Sequence, residues 1–286
     1  MSNRRVALVV GFAAGLAVTL LATGVAVGAA GGSPSAVSRA ALQGVNFVNA
    51  CAFSHRAPDD PIVAPGQPGA SHDHSFVGAR STSAFSTLAT LTASRSSCDR
   101  PGHTAAYWMP SLVVDGAFVA PRCATIYYRR ASTEAVHAFP PGFRMIAGDA
   151  KARTAQALRV TSWSCGPLAG VVRSSAVPAC PEGKASMLRL HVTFPSCWDG
   201  TRLDSADHRA HVAYPTRGRC PSTHAVAVPA ITLIYRYPRI TGASVVLASG
   251  GQLTGHADFV NSWDQGSLTA LVDGCLNALR ACKKGS

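Results

Sequence analysis

Leu188-Arg-Leu-His-Val-Thr-Phe194 sets apolar and polar side chains at alternate positions. A period of two turns successive side chains to opposite faces of an extended chain, so this stretch predicts a strand with one buried and one wet face. Similar short runs rich in Val, Ile, Thr and aromatics recur along the chain between Pro, Gly, Ser and Asp. They predict strands over 106–114, 125–129, 144–147, 158–164, 187–194, 210–214, 231–237 and 244–249. One segment has helical spacing instead: Leu268, Leu271, Val272, Cys275, Leu276 and Leu279 predict a helix over Ser267–Arg280, capped by Asp264 or Ser267. Eight short strands and one C-terminal helix predict a mostly β, single-domain β-sandwich or jelly-roll-like fold.

The chain has 286 residues, and its first 30 read as an export segment. Arg4-Arg5 precede a run from Val6 to Ala30 without charge, followed by small residues. That pattern describes a signal peptide or, uncleaved, a signal anchor. Residues 31–43 read as a small, polar linker, and 44–286 as one domain. Secretion, or surface attachment through residues 6–30, is the expected location.

The nine cysteines contain no C-x-x-C pair, which argues against zinc-ribbon and thioredoxin-type sites. In an exported chain they predict disulfides. The expected pairs are Cys51–Cys98, Cys165–Cys180, Cys197–Cys220 and Cys275–Cys282, with Cys123 left over. The net charge of +12 comes from scattered arginines without a basic run or basic helix, so nucleic acid is not an expected partner. A monomer is expected.

Three segments concentrate the ionisable residues. They are His72-Asp73-His74, then Cys197-Trp198-Asp199-Gly200 with Asp204-Ser-Ala-Asp-His-Arg-Ala-His211, and His256-Ala-Asp258 running to Trp263-Asp264. Together they hold six of the fourteen acidic residues and five of the ten histidines. On a strand His72 and His74 would share a face, with Asp73 opposite. An Asp beside a His can orient the ring and raise its basicity, as in catalytic sites and metal second shells. His72, His74, Asp204, Asp207, His208 and His211 are therefore the candidate catalytic groups. Asp73, Asp199, Trp198, His256, Asp258 and Trp263 are candidate ligand contacts, the two tryptophans as walls for a sugar ring. Trp108 and Trp163 lie in strands and read as core. The chain lacks G-x-S-x-G, H-E-x-x-H, Walker and G-x-G-x-x-G motifs. Its two glutamates lie outside these segments, so a two-carboxylate glycosidase would have to use aspartates.

Long motifs in order resemble the secreted family catalogued as domain of unknown function nineteen-ninety-six. They include Asp59-Asp-Pro-Ile-Val-Ala-Pro-Gly-Gln-Pro-Gly-Ala-Ser-His-Asp-His-Ser-Phe-Val-Gly78, Phe139-Pro-Pro-Gly-Phe-Arg-Met-Ile-Ala-Gly-Asp149, Phe194-Pro-Ser-Cys-Trp-Asp-Gly200, Asp204–Pro215 and His256-Ala-Asp-Phe259. Val77, where that family has an aromatic, and Cys123 depart from its pattern. The resemblance implies a secreted, β-rich domain, and the family's attachment to carbohydrate- or wall-binding modules points to an extracellular polysaccharide or cell-wall polymer. Three functional readings stay open. One is an enzyme, hydrolase or lyase, acting on such a polymer. Another is a non-catalytic glycan-binding module. The third is a zinc- or copper-binding protein using His72, His74, His208 and His211, with His256 in reserve.

Overall fold

The computed structural model describes residues 37–166, 172–183 and 187–282. The apolar segment 6–30 and the start of the linker lie outside the described residues. The end of the linker is structured: Ala40–Leu42 form a 3-10 turn, and the Val37 amide donates to the Thr133 carbonyl. Among the described residues no helix is long and apolar enough to cross a membrane.

Two larger sheets enclose one core. The first has six strands in the order Ala281–Cys282, Asn46–Cys51, Cys123–Arg129, Ala230–Arg236, Leu188–Thr193 and Thr161–Cys165. The second has five, in the order His55–Ala57, His74–Gly78, Ala106–Pro110, His256–Val260 and Arg144–Gly148. Neighbours are antiparallel except for the pairing of Asn46–Cys51 with Ala281–Cys282. Two three-stranded sheets complete the β-rich, sandwich-like architecture. Phe47, Ile126, Tyr128, Leu190, Val192, Leu233 and Tyr235 from the first sheet meet Val77, Tyr107, Met109, Met145 and Phe259 from the second.

The opening strand does alternate, but its polar face is not wet. Arg189 and His191 are only 8% and 7% exposed. Their neighbours on that face carry long or polar side chains, His191 bonds Ser164 Oγ at 2.7 Å, and Arg173 reaches Ser162. Arginine stems cover sheet surface while their heads reach outward, so a polar row can be buried without being apolar.

The C-terminal helix begins earlier than expected, at Gln265, with the Asp264 carboxylate accepting from the Ser267 amide. It widens into a π-helical turn over Val272–Asn277, with the weak helix former Gly274 inside it. The four expected disulfides form, and Cys123 is the free cysteine. These bridges fit an oxidising compartment.

The second sheet positions the polar segments. Ala257 and Phe259 face the core, so the pleat turns His256 and Asp258 to the outer face. There Asp258 lies across from Trp108 on one neighbouring strand and Ile146 on the other, while His74 stands at the start of its own strand. Close approach of Arg144–Gly148 to His256 needs a glycine: a Cβ at Gly148 would sit 2.4 Å from the Gly255 carbonyl oxygen and 2.8 Å from His256 Cα.

Candidate functional site

The loop before His74 folds back over this outer face, and Asp59 and Asp60 hold it there. Asp59 accepts from the Gly69 and Ala84 amides, and Asp60 Oδ1 accepts from the Ile62 and Val63 amides, both at 2.9 Å. The Asp59 carbonyl in turn takes a hydrogen bond from His74 Nδ1 at 3.0 Å. The turn-rich stretch Pro65–Gly69 therefore closes a loop whose end delivers His72 and His74.

His72, His74 and His256 form a cluster. Ring centroids are 4.2 Å apart for His72 and His74, 4.9 Å for His72 and His256, and 5.8 Å for His74 and His256. The Nε2 atoms of His72 and His256 face each other at 3.1 Å. His256 Nδ1 donates to the Thr254 carbonyl at 2.8 Å. Burial lowers the pKa of all three rings; the neighbouring imidazoles push His74 further down, and His256 falls to about 4. Beneath them Asp258 is 1% exposed, and neither carboxylate oxygen has a hydrogen-bond partner among the described residues. Burial, reinforced by the nearby Asp60 charge, pushes Asp258 well above the usual carboxylate range, and burial raises Asp60 as well.

The 204–211 loop forms the opposite wall. His208 Nδ1 donates to Asp204 Oδ1 at 2.9 Å, leaving Nε2 as the free ring nitrogen. Arg144 stands 3.9 Å from the other Asp204 oxygen. His208 adopts a left-handed backbone with φ of 57°, held by its amide on the Ser205 carbonyl and its carbonyl on the Ile146 amide. A non-glycine residue in this region costs about 1 kcal/mol or more, and such strain concentrates at functional sites. Asp207 braces the loop: its Oδ1 accepts from the Ala210 and Arg209 amides and the Ser205 hydroxyl, which keep its carboxyl well below the usual range.

Between the walls lies a pocket of about 490 Å³ lined by Asp60, His72, His208, Arg209, His256 and Asp258, with Asp149, Lys151 and Asp207 at its sides. Thus residues from all three polar segments meet. Several candidates do not join them. Asp73, in the loop just before the strand that starts at His74, lies 3.8 Å from Arg56. His211 is buried with both nitrogens engaged, Nε2 donating to the Arg144 carbonyl and Nδ1 2.9 Å from Ser205 Oγ, so it braces the loop and cannot ligate a metal as it stands. Asp199 pairs with Arg202 and caps its own turn. Trp198 donates to the Arg202 carbonyl and packs edge-on to Phe143. Trp263 is core, donating to Tyr128 Oη at 3.0 Å. Trp108 and Trp163 are core as well. No Trp, Tyr or Phe lines the pocket among the described residues.

Asp60, Arg209, Asp149 and Lys151 escaped the reading by residue type. The signal for Asp60 was its place in an acidic pair before Pro61, and for Arg209 its position beside His208.

The family model described as Domain of unknown function (DUF1996) matches residues 60–263, and the chain belongs to this family. The match spans the His72, Asp204–His211 and His256–Asp258 segments. No curated protein and no solved structure matches the chain.

Proposed function

We propose that this DUF1996 member is a secreted or surface-attached enzyme acting on an extracellular polysaccharide, with His208 as its proton-moving group. The observation that carries the reading is the Asp204–His208 pair on the wall of a polar pocket, held in a strained backbone conformation. A carboxylate on Nδ1 fixes the tautomer that presents Nε2 as a base and stabilises the ring once it is protonated. Nε2 then removes a proton from water, from a sugar hydroxyl or from a ring carbon. The pocket volume suits a small number of sugar units. Arg209, Lys151, Asp149 and Asp207 supply donors and acceptors for hydroxyl or carboxylate groups, so the substrate is gripped by polar contacts and not by a stacking platform.

The test is product release from a panel of neutral and acidic wall glycans, comparing the wild type with His208→Ala and Asp204→Asn. Loss of about 10²–10⁴-fold in turnover is expected for His208→Ala, with unchanged thermal unfolding. Retention on insoluble glycan without product in the wild type points to a binding module and overturns the enzymatic reading. Full turnover by His208→Ala overturns the role of His208.

A further inference from the structure

The three-imidazole cluster has a feature that proton chemistry at His208 does not use. Backbone carbonyls only accept, so the bonds from Nδ1 of His74 to Asp59 and from Nδ1 of His256 to Thr254 fix both rings in the Nδ1–H form. Each ring then presents a bare Nε2 lone pair. For His74 this atom is fully buried and has no partner among the described residues. His256 Nε2 points at His72 Nε2, where one proton can join that pair but leaves His74 unsatisfied. One donor atom from each of the three rings lies within 4.8 Å of the others. An orphaned buried acceptor of this kind is costly, because its lost hydration is replaced by no other bond. Imidazoles whose second nitrogen is anchored to a carbonyl are the arrangement that orients histidine ligands on a metal.

We propose that His72, His74 and His256 bind one divalent transition-metal ion through their Nε2 atoms. Three neutral nitrogens select an imidazole-preferring ion, zinc or copper, over magnesium or calcium. Asp60 and Asp258 lie beside the cluster; with His74 they too have donor atoms within 4.8 Å of one another. Asp60 Oδ1 already accepts two amides, which leaves the carboxylate set the weaker cradle for the ion. His72 and His256 line the pocket, so an ion there would face whatever enters it. The ligand set departs from the four histidines expected from sequence, which held His256 in reserve: His256 stands with His72 and His74, while His208 lies outside that group and both nitrogens of His211 are engaged.

This inference goes beyond the enzymatic reading and is tested without turnover. Tag-free, disulfide-intact protein is stripped with chelator, dialysed and titrated calorimetrically with Zn²⁺ and, separately, Cu²⁺, with Mg²⁺ as a control. Binding of one equivalent of Zn²⁺ or Cu²⁺ is expected, at least tenfold weaker in His72→Ala and unchanged in His208→Ala. His72 is only partly buried, so its truncation leaves the fold intact; circular dichroism and thermal unfolding verify this. In the Cu²⁺ form, nitrogen hyperfine structure from imidazoles is expected by electron paramagnetic resonance and is reduced in His72→Ala. Absence of saturable binding overturns the site, as does binding that is equal in wild type and folded His72→Ala. Metal binding without glycan turnover supports this site while refuting the catalytic proposal; turnover by metal-free protein that takes up no ion does the reverse.

Discussion

His103 lies 1% exposed beneath Trp263, with ring centroids 4.2 Å apart, and its Nε2 is 2.9 Å from Tyr107 Oη. Tyr107 bonds Tyr128, which accepts from Trp263, so the ring ends a buried polar chain. Burial, with a smaller contribution from the Arg100 charge, lowers its pKa from 6.5 to about 3. Unfolding returns the ring to water, where it takes up a proton below pH 6.5; the folded protein refuses that proton down to about pH 3. Stability linked to His103 is therefore intact above pH 6.5 and declines as the pH falls between those values. At roughly 1.4 kcal/mol per pH unit, acidification from about pH 7 to pH 5 costs about 2 kcal/mol through this ring alone. His103→Gln keeps a polar side chain near Tyr107 but cannot titrate. Urea unfolding followed by tryptophan fluorescence, with disulfides intact, should show the wild type losing about 2 kcal/mol more than His103→Gln over this interval. Other buried histidines, such as His191, are common to both proteins and cancel. Equal losses in the two proteins refute the argument. If the variant fails to fold, nuclear magnetic resonance on the wild type decides, because a His103 ring titrating near pH 6 contradicts its sealed placement.

Two further substitutions probe the scaffold around the site. Gly148→Ala places a Cβ against the Gly255 carbonyl at a φ of 78°, and about 3 kcal/mol of destabilisation is expected. Thermal unfolding should fall by roughly 6–12 °C, and an unchanged midpoint would show that the two strands part without cost. Asp264→Ala removes the cap on the Ser267 amide and should lower the denaturant midpoint, without loss of Zn²⁺ or Cu²⁺ binding.

The alternation at 188–194, the four disulfides, the leftover Cys123 and the Asp264 cap were legible because each depends on local spacing or on pairing within an oxidised chain. His256–Val260 was not read as a strand. Ala257 and Phe259 do alternate with His256 and Asp258, but the run is only five residues long and its polar face is as buried as its apolar one, so its polar groups drew the reading toward a site. The three polar segments were visible as an enrichment, and they do meet. Trp198 and Trp263 did not become walls because an indole N–H inside a fold needs an acceptor, and each found one away from the pocket.

The histidines also explain why residue type alone could not assign roles. His208, His211, His74 and His256 all stand in polar segments, yet the partner of one ring nitrogen decides what the other can do. A carboxylate on Nδ1 of His208 fixes the tautomer that leaves Nε2 as the free ring nitrogen. Burial keeps His74 and His256 neutral, and the carbonyls on their Nδ1 atoms fix the tautomer whose Nε2 carries the lone pair. With both nitrogens engaged, His211 has nothing left to offer a substrate and serves to brace the loop that carries His208. Those partners come from residues 59, 204, 205, 144 and 254; Asp59 and Arg144 are brought alongside by the tertiary fold, while Asp204, Ser205 and Thr254 lie within six residues of their rings. In the proposed roles the anchor behind each ring decides what the ring does, and mutating the anchors should separate roles that mutating the rings would merge. Asp204→Asn should impair turnover while leaving Zn²⁺ or Cu²⁺ affinity within about twofold, because the Asp204 carboxylate touches His208 and none of the three proposed ligands. Calorimetric titration of this variant beside the wild type reads the result, and a large loss of metal affinity would show that the two walls act as one unit.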